Sequence, residues 1–268
     1  EWNNAAVQGV TSSYMQDYML ESYFGQINYD YKNKYFLTVT GRTDGSSRFI
    51  RNKWDSFYSA GASWIVSNED FYNKDSFLSS LKLKASYGVM GDQAGVDYYS
   101  GYNVYGVGNF MGLPSSPFSR IGYPDLTWET ARMFQTGAEF SLFKNKAIDV
   151  TIDYYKKTTD NLIFDKRIAP STGNAISKVN DGVLINQGLE FNILAKVINK
   201  ADFYLTAGMN GEILKNKLTE MPSDMSQPGG KKIIDLSESG FGRVAGRSMY
   251  DFYMREWAGV NAQTGAAQ

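Results

Sequence analysis

Histidine and cysteine are both absent from this 268-residue chain. That removes the side chains that most often carry catalysis or bind transition metals. The groups left for chemistry are carboxylates, amines, guanidinium groups and phenols, and their spacing is the informative part. Lys82 and Lys84 alternate with Leu81, Leu83 and Ala85. Asp149 and Asp153 alternate with Ile148, Val150, Ile152 and Tyr154, and Glu139, Glu190 and Lys196 have similar surroundings. Charges at every second residue lie on one face of a strand. An unpaired charge in a dry core is costly, so this face must meet water and the opposite face a core or lipid. No carboxylate pair stands out, so no catalytic residue is assigned. The spacings of calcium loops and zinc sites are missing too, so no metal ligand is assigned.

A second set of groups is suited to binding. Residues 90–126 are rich in Gly and Tyr and hold three of the six prolines. A loop this long is usually functional or disordered. Its rings Tyr98, Tyr99, Tyr102, Tyr105 and Phe110 can stack on sugars or peptide side chains, or else pack the loop on its neighbours. Arg42 and Asp44 begin a polar stretch, GRTDGSSRF, that reads as a turn held by side-chain-to-backbone bonds rather than as a cation site. Gly106-Val107-Gly108-Asn109-Phe110-Met111-Gly112 lacks the spacing of a phosphate loop and no helix follows it.

The elements that position these residues read as strands. Residues 127–164 form the clearest hairpin: Phe134, Ala138, Phe140 and Leu142 oppose Gln135, Gly137, Glu139 and Ser141, and residues 144–146 make a short polar connector. The two arms read as roughly 16 and 18 residues, against about 5–6 for a globular strand and about 9–11 to cross a bilayer. Six more strands are predicted near residues 17–31, 35–42, 54–66, 81–89, 183–197 and 202–218. One short helix is expected within 68–80. The connections alternate in length, short at 32–33, 143–146 and 198–201, long at 43–53, 90–126, 165–182 and from 219 onward. The segment 67–80 fits this rhythm poorly. Trp54, Trp128, Tyr154, Tyr155 and Tyr29 are candidates for aromatic residues at a membrane surface.

Composition sets the outer bounds. The 27 basic and 28 acidic residues nearly cancel, which gives no electrostatic footprint for nucleic acid. The 19 tyrosines and 16 phenylalanines suit a β-rich protein with rings at an interface. No apolar run of transmembrane-helix length exists, and no signal peptide begins at Glu1. No cofactor is expected.

Several segments resemble one family when taken in order: GRTDGSSRF (41–49), LKLKASYGVMGDQ (81–93), PDLTWET (124–130), FSLFKNK (140–146), DYYKKTTDNLI (153–163), NDGVLINQGLEF (180–191) and REWAGVNAQTG (255–265). Together they resemble the β-barrel of SusC/RagA-like TonB-dependent transporters of Bacteroidetes outer membranes. The resemblance implies an all-β fold: an antiparallel transmembrane β-barrel segment, about eight long strands of a barrel of roughly 22. Extracellular loops would be long and periplasmic turns short. It implies TonB-dependent import of oligosaccharides or peptides, a SusD-like surface lipoprotein as partner, TonB acting through a region outside this chain, and surrounding lipid. The whole of 1–268 would be barrel, with the plug domain and terminal strands lying elsewhere. Lys82, Lys84, Glu139, Asp149, Asp153 and Glu190 would then face the lumen, and Ile148, Val150, Ile152 and Tyr154 the lipid. On that facing, arginine at Ile152 should be costly and arginine at Asp153 much less so. The alternatives are a soluble or surface-displayed β-rich module that binds glycans or proteins and, more remotely, a carboxylate-based glycoside hydrolase.

Overall fold

The computed structural model describes residues 15–73, 76–167, 171, 176–222, 233–236, 240–254 and 256–266. Sixteen strands follow one another: β1 Leu20–Tyr31, β2 Tyr35–Ser46, β3 Trp54–Ile65, β4 Leu78–Asp92, β5 Val104–Tyr105, β6 Gly108–Phe110, β7 Leu113–Ser115, β8 Phe118–Arg120, β9 Glu129–Leu142, β10 Ile148–Asp160, β11 Ile163–Arg167, β12 Ile176–Asn180, β13 Val183–Asn199, β14 Tyr204–Glu220, β15 Ile233–Leu236 and β16 Phe241–Val244. Eight of them, β1-β2-β3-β4-β9-β10-β13-β14, make one antiparallel sheet in which every strand pairs with its predecessor among the eight. The other eight form small hairpins within the connections.

Period-two sequences dictate this sheet, because side chains on successive residues leave a strand on opposite sides. The register turns that alternation into two continuous faces. Lys84 lies opposite Gly137 and Lys82 opposite Glu139. Gly137 lies opposite Asp153 and Glu139 opposite Thr151. Asp153 lies opposite Glu190, and Glu190 opposite Glu212. One face is therefore polar across β4, β9, β10, β13 and β14. The other carries Leu37 and Val39, Ala60 and Ala62, Leu83 and Tyr87, Phe134 and Phe140, Val150 and Ile152, Leu189 and Ile193. Among the described residues no second layer covers these side chains: Leu37, Val39, Leu83, Ile152, Leu189 and Ile213 are all exposed.

Rings mark two levels of the apolar face. Tyr35 lies between Tyr31 and Trp64, with centroids 6.4 and 6.1 Å away. Nearer the other end Tyr58 neighbours Tyr87 at 6.5 Å, and Tyr87 lies opposite Phe134. Tyr29, Trp54 and Tyr154 point to this face as expected. Trp128 does not, being 3% exposed and part of a core cluster. Tyr155 lies on the polar face, its hydroxyl donated to Glu212.

The connections sort to the two ends of the sheet. Residues 32–34, 66–77, 143–147 and 200–203 join strands at one end, and the connections β2–β3 (47–53), β4–β9 (93–128) and β10–β13 leave their strands at the other, as does the chain beyond β14. Residues 66–77 thus belong to the end with the shorter turns, although they outnumber 47–53. Among the described residues of 68–80 no helix forms beyond the end of a 3-10 turn at Val66–Asn68. Residues 43–46, expected in a loop, extend β2 because Thr43, Asp44 and Gly45 all find partners on both β1 and β3. β4 likewise runs past 81–89 at both ends. The hairpin strands are shorter than expected, 14 and 13 residues. The second breaks at Asn161, whose φ of 57° takes the chain out of the sheet and into the β11–β12 hairpin.

Candidate functional site

The polar face is a ladder of compensated charges. Lys82 reaches Glu139 at 3.2 Å, Lys84 reaches Glu139 at 3.1 Å and Asp153 at 3.0 Å. Lys196 reaches Asp149 at 3.1 Å, and Asp149 also accepts from the Ser141 hydroxyl at 2.6 Å. The Lys84–Asp153 bridge spans two strand spacings, from β4 over β9 to β10. It passes over Gly137, where a Cβ would lie 2.1 Å from Asp153 Oδ1. Lys82, Lys84, Glu139, Asp149, Asp153 and Glu190 thus share one face, and Ile148, Val150, Ile152 and Tyr154 share the other. Asp153, Glu190 and Glu212 also come into one row across three strands, a juxtaposition that needs the register to be seen.

At the end with the larger connections, segments far apart in sequence lock together. Arg48 lies between the rings of Tyr18 and Tyr98, 4.9 and 4.8 Å from their centroids. It donates to the carbonyls of Gln93 and Val96 at 3.1 and 2.7 Å. Gln93 takes the Ser46 hydroxyl and gives its amide to Tyr18 at 2.6 Å. Arg51 pairs with Asp125 at 2.6 Å, and Trp128 donates its indole N–H to the Lys53 carbonyl at 3.2 Å. Asn180 accepts from the Thr127 amide at 2.8 Å and donates to the carbonyls of Thr127 and Asn161, each at 2.9 Å. Phe49, Phe57, Val89, Val96, Leu126 and Trp128 close this rim as one buried cluster. The motifs at 41–49, 81–93, 124–130 and 180–191 therefore each contribute a residue to one interlocked rim, through Arg48, Gln93, Trp128 and Asn180.

The five loop rings divide between these roles. Tyr98 stacks on Arg48, the Tyr99 hydroxyl accepts the Asp17 amide at 3.2 Å, and Tyr105 meets Phe118 edge-on at 5.6 Å. Each of these three has a partner, although Tyr105 remains 59% exposed. Tyr102 and Phe110 are 54% and 68% exposed, Phe110 near the tip of the β6–β7 hairpin. Arg42 and Asp44 form an ion pair within β2 rather than a turn: the guanidinium Nε lies 2.7 and 2.8 Å from the two carboxylate oxygens.

Below the rim the polar face is hollowed. The β3–β4 ladder stops at Ser59 opposite Gly88, and Phe57 fills the space beyond, over Gly91. Under Phe57 a groove of about 740 Å³ is floored by Ser59, Gly61, Ser86 and Gly88, with Arg42 on one side and Met133 on the other. The small residues at 59–62 recur at 86 and 88, and only the register stacks them. Among the described residues no group of carboxylates is arranged to hold a metal ion.

A family model described as TonB dependent receptor-like, beta-barrel, matches residues 2–246. TonB-dependent receptor P39 of Formosa agariphila is 34% identical over 223 residues, 82% of this chain and 21% of that protein. TonB-dependent receptor SusC of Bacteroides thetaiotaomicron is 35% identical over 213 residues, 75% of this chain and 21% of that protein. The solved structure of the RagAB peptide transporter is 26% identical with a TM-score of 0.80, covering 93% of this chain and 27% of that one. The chain thus spans about a fifth to a quarter of the length of the curated relatives it matches.

Proposed function

This chain belongs to the TonB dependent receptor-like β-barrel family, and from that premise we propose that it supplies part of the barrel wall and rim of an outer-membrane importer of oligosaccharides or peptides. Its sheet is an arc of antiparallel transmembrane barrel. The observation that carries the reading is the pairing of faces: an apolar face that no described residue covers backs a polar face on which Lys82, Lys84 and Lys196 pair with Glu139, Asp153 and Asp149. Lipid covers the first and a wet lumen the second. A soluble glycan- or protein-binding module would leave the apolar face in water, at a cost that grows with its area. The interlocked rim is the extracellular end, and the turns at 32–34, 143–147 and 200–203 are periplasmic. Lys82, Lys84, Glu139, Asp149, Asp153 and Glu190 line the lumen, while Ile148, Val150, Ile152 and Tyr154 face acyl chains. A SusD-like lipoprotein over the rim and TonB, acting through a plug outside this chain, complete the machine. Strands outside residues 1–268 close the barrel, because open sheet edges are not tolerated in lipid. The chain has no catalytic role in this scheme.

The test uses the full-length protein in its own host. It should fractionate with the outer membrane, migrate faster on gels unheated than heated, and support uptake that stops when the energy supply to TonB is uncoupled. Recovery in the soluble fraction, or uptake indifferent to uncoupling, would overturn the proposal.

A further inference from the structure

We propose that the apolar face of β10, β13 and β14 carries, at its rim end, a binding site for the phosphate of a phosphorylated glycolipid in the outer leaflet of the membrane. This rests on the importer reading, which puts lipid on that face and the rim outside the cell. The register sets Lys156 opposite Gln187 and Gln187 opposite Lys215, while Lys217 lies opposite Ile185 in the next row toward the rim. Their side chains leave the sheet on the same side as Tyr154, Leu189 and Ile213, which form the row below. All three lysines are exposed, and none has a hydrogen bond or ion pair among the described residues. Lys156 and Lys215 stand two strand spacings apart, about 9.6 Å, and Lys215 and Lys217 are about 6.8 Å apart along one strand. Flexible four-carbon stems bridge such gaps, so the three ammonium groups, each with three N–H donors, can close on one phosphate.

Height on the sheet and local charge balance select the ligand. Lys156 lies opposite Phe134, and Phe134 opposite Tyr87, so the lysines continue a row of rings. Rings at the edge of an apolar band sit at headgroup level. The row beneath, Tyr154, Leu189 and Ile213, is apolar and exposed. A ligand here meets cations above and an apolar wall below, which matches an anionic amphiphile with its phosphate up and its acyl chains down. A free phosphate would use only the first of these. Nearby carboxylates do not cancel the charge: Asp160 is paired with Arg132, and Glu220 lies three residues beyond Lys217. Lysines that merely snorkel would serve equally at either end of the strands. The turn end of the same face is apolar instead, with Ile148 opposite Ala195 and Ala195 opposite Ala207. A protein partner seated on the rim would not use the apolar row, which lies at membrane level.

The test uses the full-length protein, extracted from outer membranes in a nonionic detergent and washed free of lipid. Lipid A with its phosphates, the same lipid A dephosphorylated, phosphatidylglycerol and inorganic phosphate are titrated in turn, and native mass spectrometry reads the molecules bound per barrel. Phosphorylated lipid A should bind far more tightly than the other three. Combining Lys156→Gln, Lys215→Gln and Lys217→Gln should weaken it about a hundredfold, since each lysine beside an anionic headgroup contributes about fivefold. Lys32→Gln with Lys200→Gln, in turns at the other end of the sheet, should leave it unchanged. Each variant is first checked for the fast-migrating unheated band. If the triple variant loses that band, Lys156→Gln and Lys217→Gln are read singly, each expected about fivefold weaker. Undiminished binding in these variants overturns the site. So does equal binding of any of the other three ligands, or a triple variant that keeps lipid A and loses a co-purifying protein, because the patch is then a protein surface. Uptake is scored separately. A barrel that imports but does not bind lipid A overturns the site alone, whereas a protein recovered in the soluble fraction sinks the importer reading and the site with it.

Discussion

Neighbouring residues on β10 show how differently the two faces of the sheet are built. Asp153, a carboxylate, is 7% exposed, and Ile152, one residue earlier, is 38% exposed. A water-soluble protein would reverse those numbers. The polar face covers its own charges: Lys84 and Gly137 lie beside Asp153, and the ladder from Lys82 to Lys196 leaves few of its ions without an opposite. The apolar face covers nothing of itself and waits on another phase. The polar face is thus specified by particular cross-strand partners, while the apolar face is specified only by type. Substitutions should therefore be judged by chemistry on one side and by fit on the other.

The sharpest way to break this comparison is to put a charge on the apolar face. In the full-length protein Ile152→Arg should destabilise the assembled form by about 2–4 kcal/mol if the site is near the bilayer midplane. It would be read as loss of the fast-migrating unheated band across a urea series. The matching control on the polar face is Asn192→Arg, an exposed position opposite Thr151 that should cost at most about 1 kcal/mol. Asp153→Arg, which the sequence alone suggests as the mild partner, is unsuitable: it would set a second cation against Lys84 in a nearly buried place. Equal urea midpoints for Ile152→Arg and Asn192→Arg would mean that the faces do not meet different solvents.

A smaller effect tests whether the polar face is built by fit. Gly137→Ala should displace the Asp153 carboxylate from its path to Lys84, at a cost of about 1–3 kcal/mol from a charge-assisted bond lost in a mostly buried place. The same urea series reads it. If displacement is a cause, Gly137→Ala combined with Asp153→Ala should cost less than the sum of the two single variants, the remainder coming from the Ile152 carbonyl 2.5 Å from the new Cβ. Additive costs would mean that the glycine serves another purpose.

Much of the sheet was legible in the sequence because period two is a local signal. The eight long strands, the polar set and the apolar set all follow from alternation, and the structure keeps each set on one face. What alternation cannot supply is register. It does not reveal that Gly137 lies between Lys84 and Asp153, or that Ser59 and Ser86 share a floor. It also misplaced Trp128 and Tyr155, whose partners are Phe49, Phe57 and Glu212 from distant strands and loops. Residues 43–46 read as a loop because Gly, Asp and Ser favour turns, and pairing on both sides overrides that preference. The loop rings were singled out as able to stack on a ligand or to pack the loop, and three of the five have partners in the rim or in the loop itself, which composition does not reveal.

The smallest expected effect lies where the apolar face ends, at the turn side of the sheet. Glu69 accepts from the Tyr35 hydroxyl at 2.6 Å, from Lys34 at 2.9 Å and from the Trp64 indole at 3.0 Å. It thus ties two rings of the apolar face to a lysine at the β1–β2 turn. The Tyr35 hydroxyl above all, then Lys34 and Trp64, hold its carboxyl down at about 2, against 4.5 ordinarily. A carboxylate whose folded value is depressed binds its proton more readily in the unfolded chain. Its contribution is therefore complete above about pH 4.5, falls as the pH drops toward 2, and does not change between pH 5 and 8. Glu69→Gln should lower the urea midpoint slightly at pH 7 and flatten the part of the acid-side decline that this residue causes, so that the two proteins converge near pH 2. A constant gap between them from pH 7 to pH 3 would mean that Glu69 acts through shape alone. The boundary of the apolar face would then be held by its rings, without help from the charge at the turn.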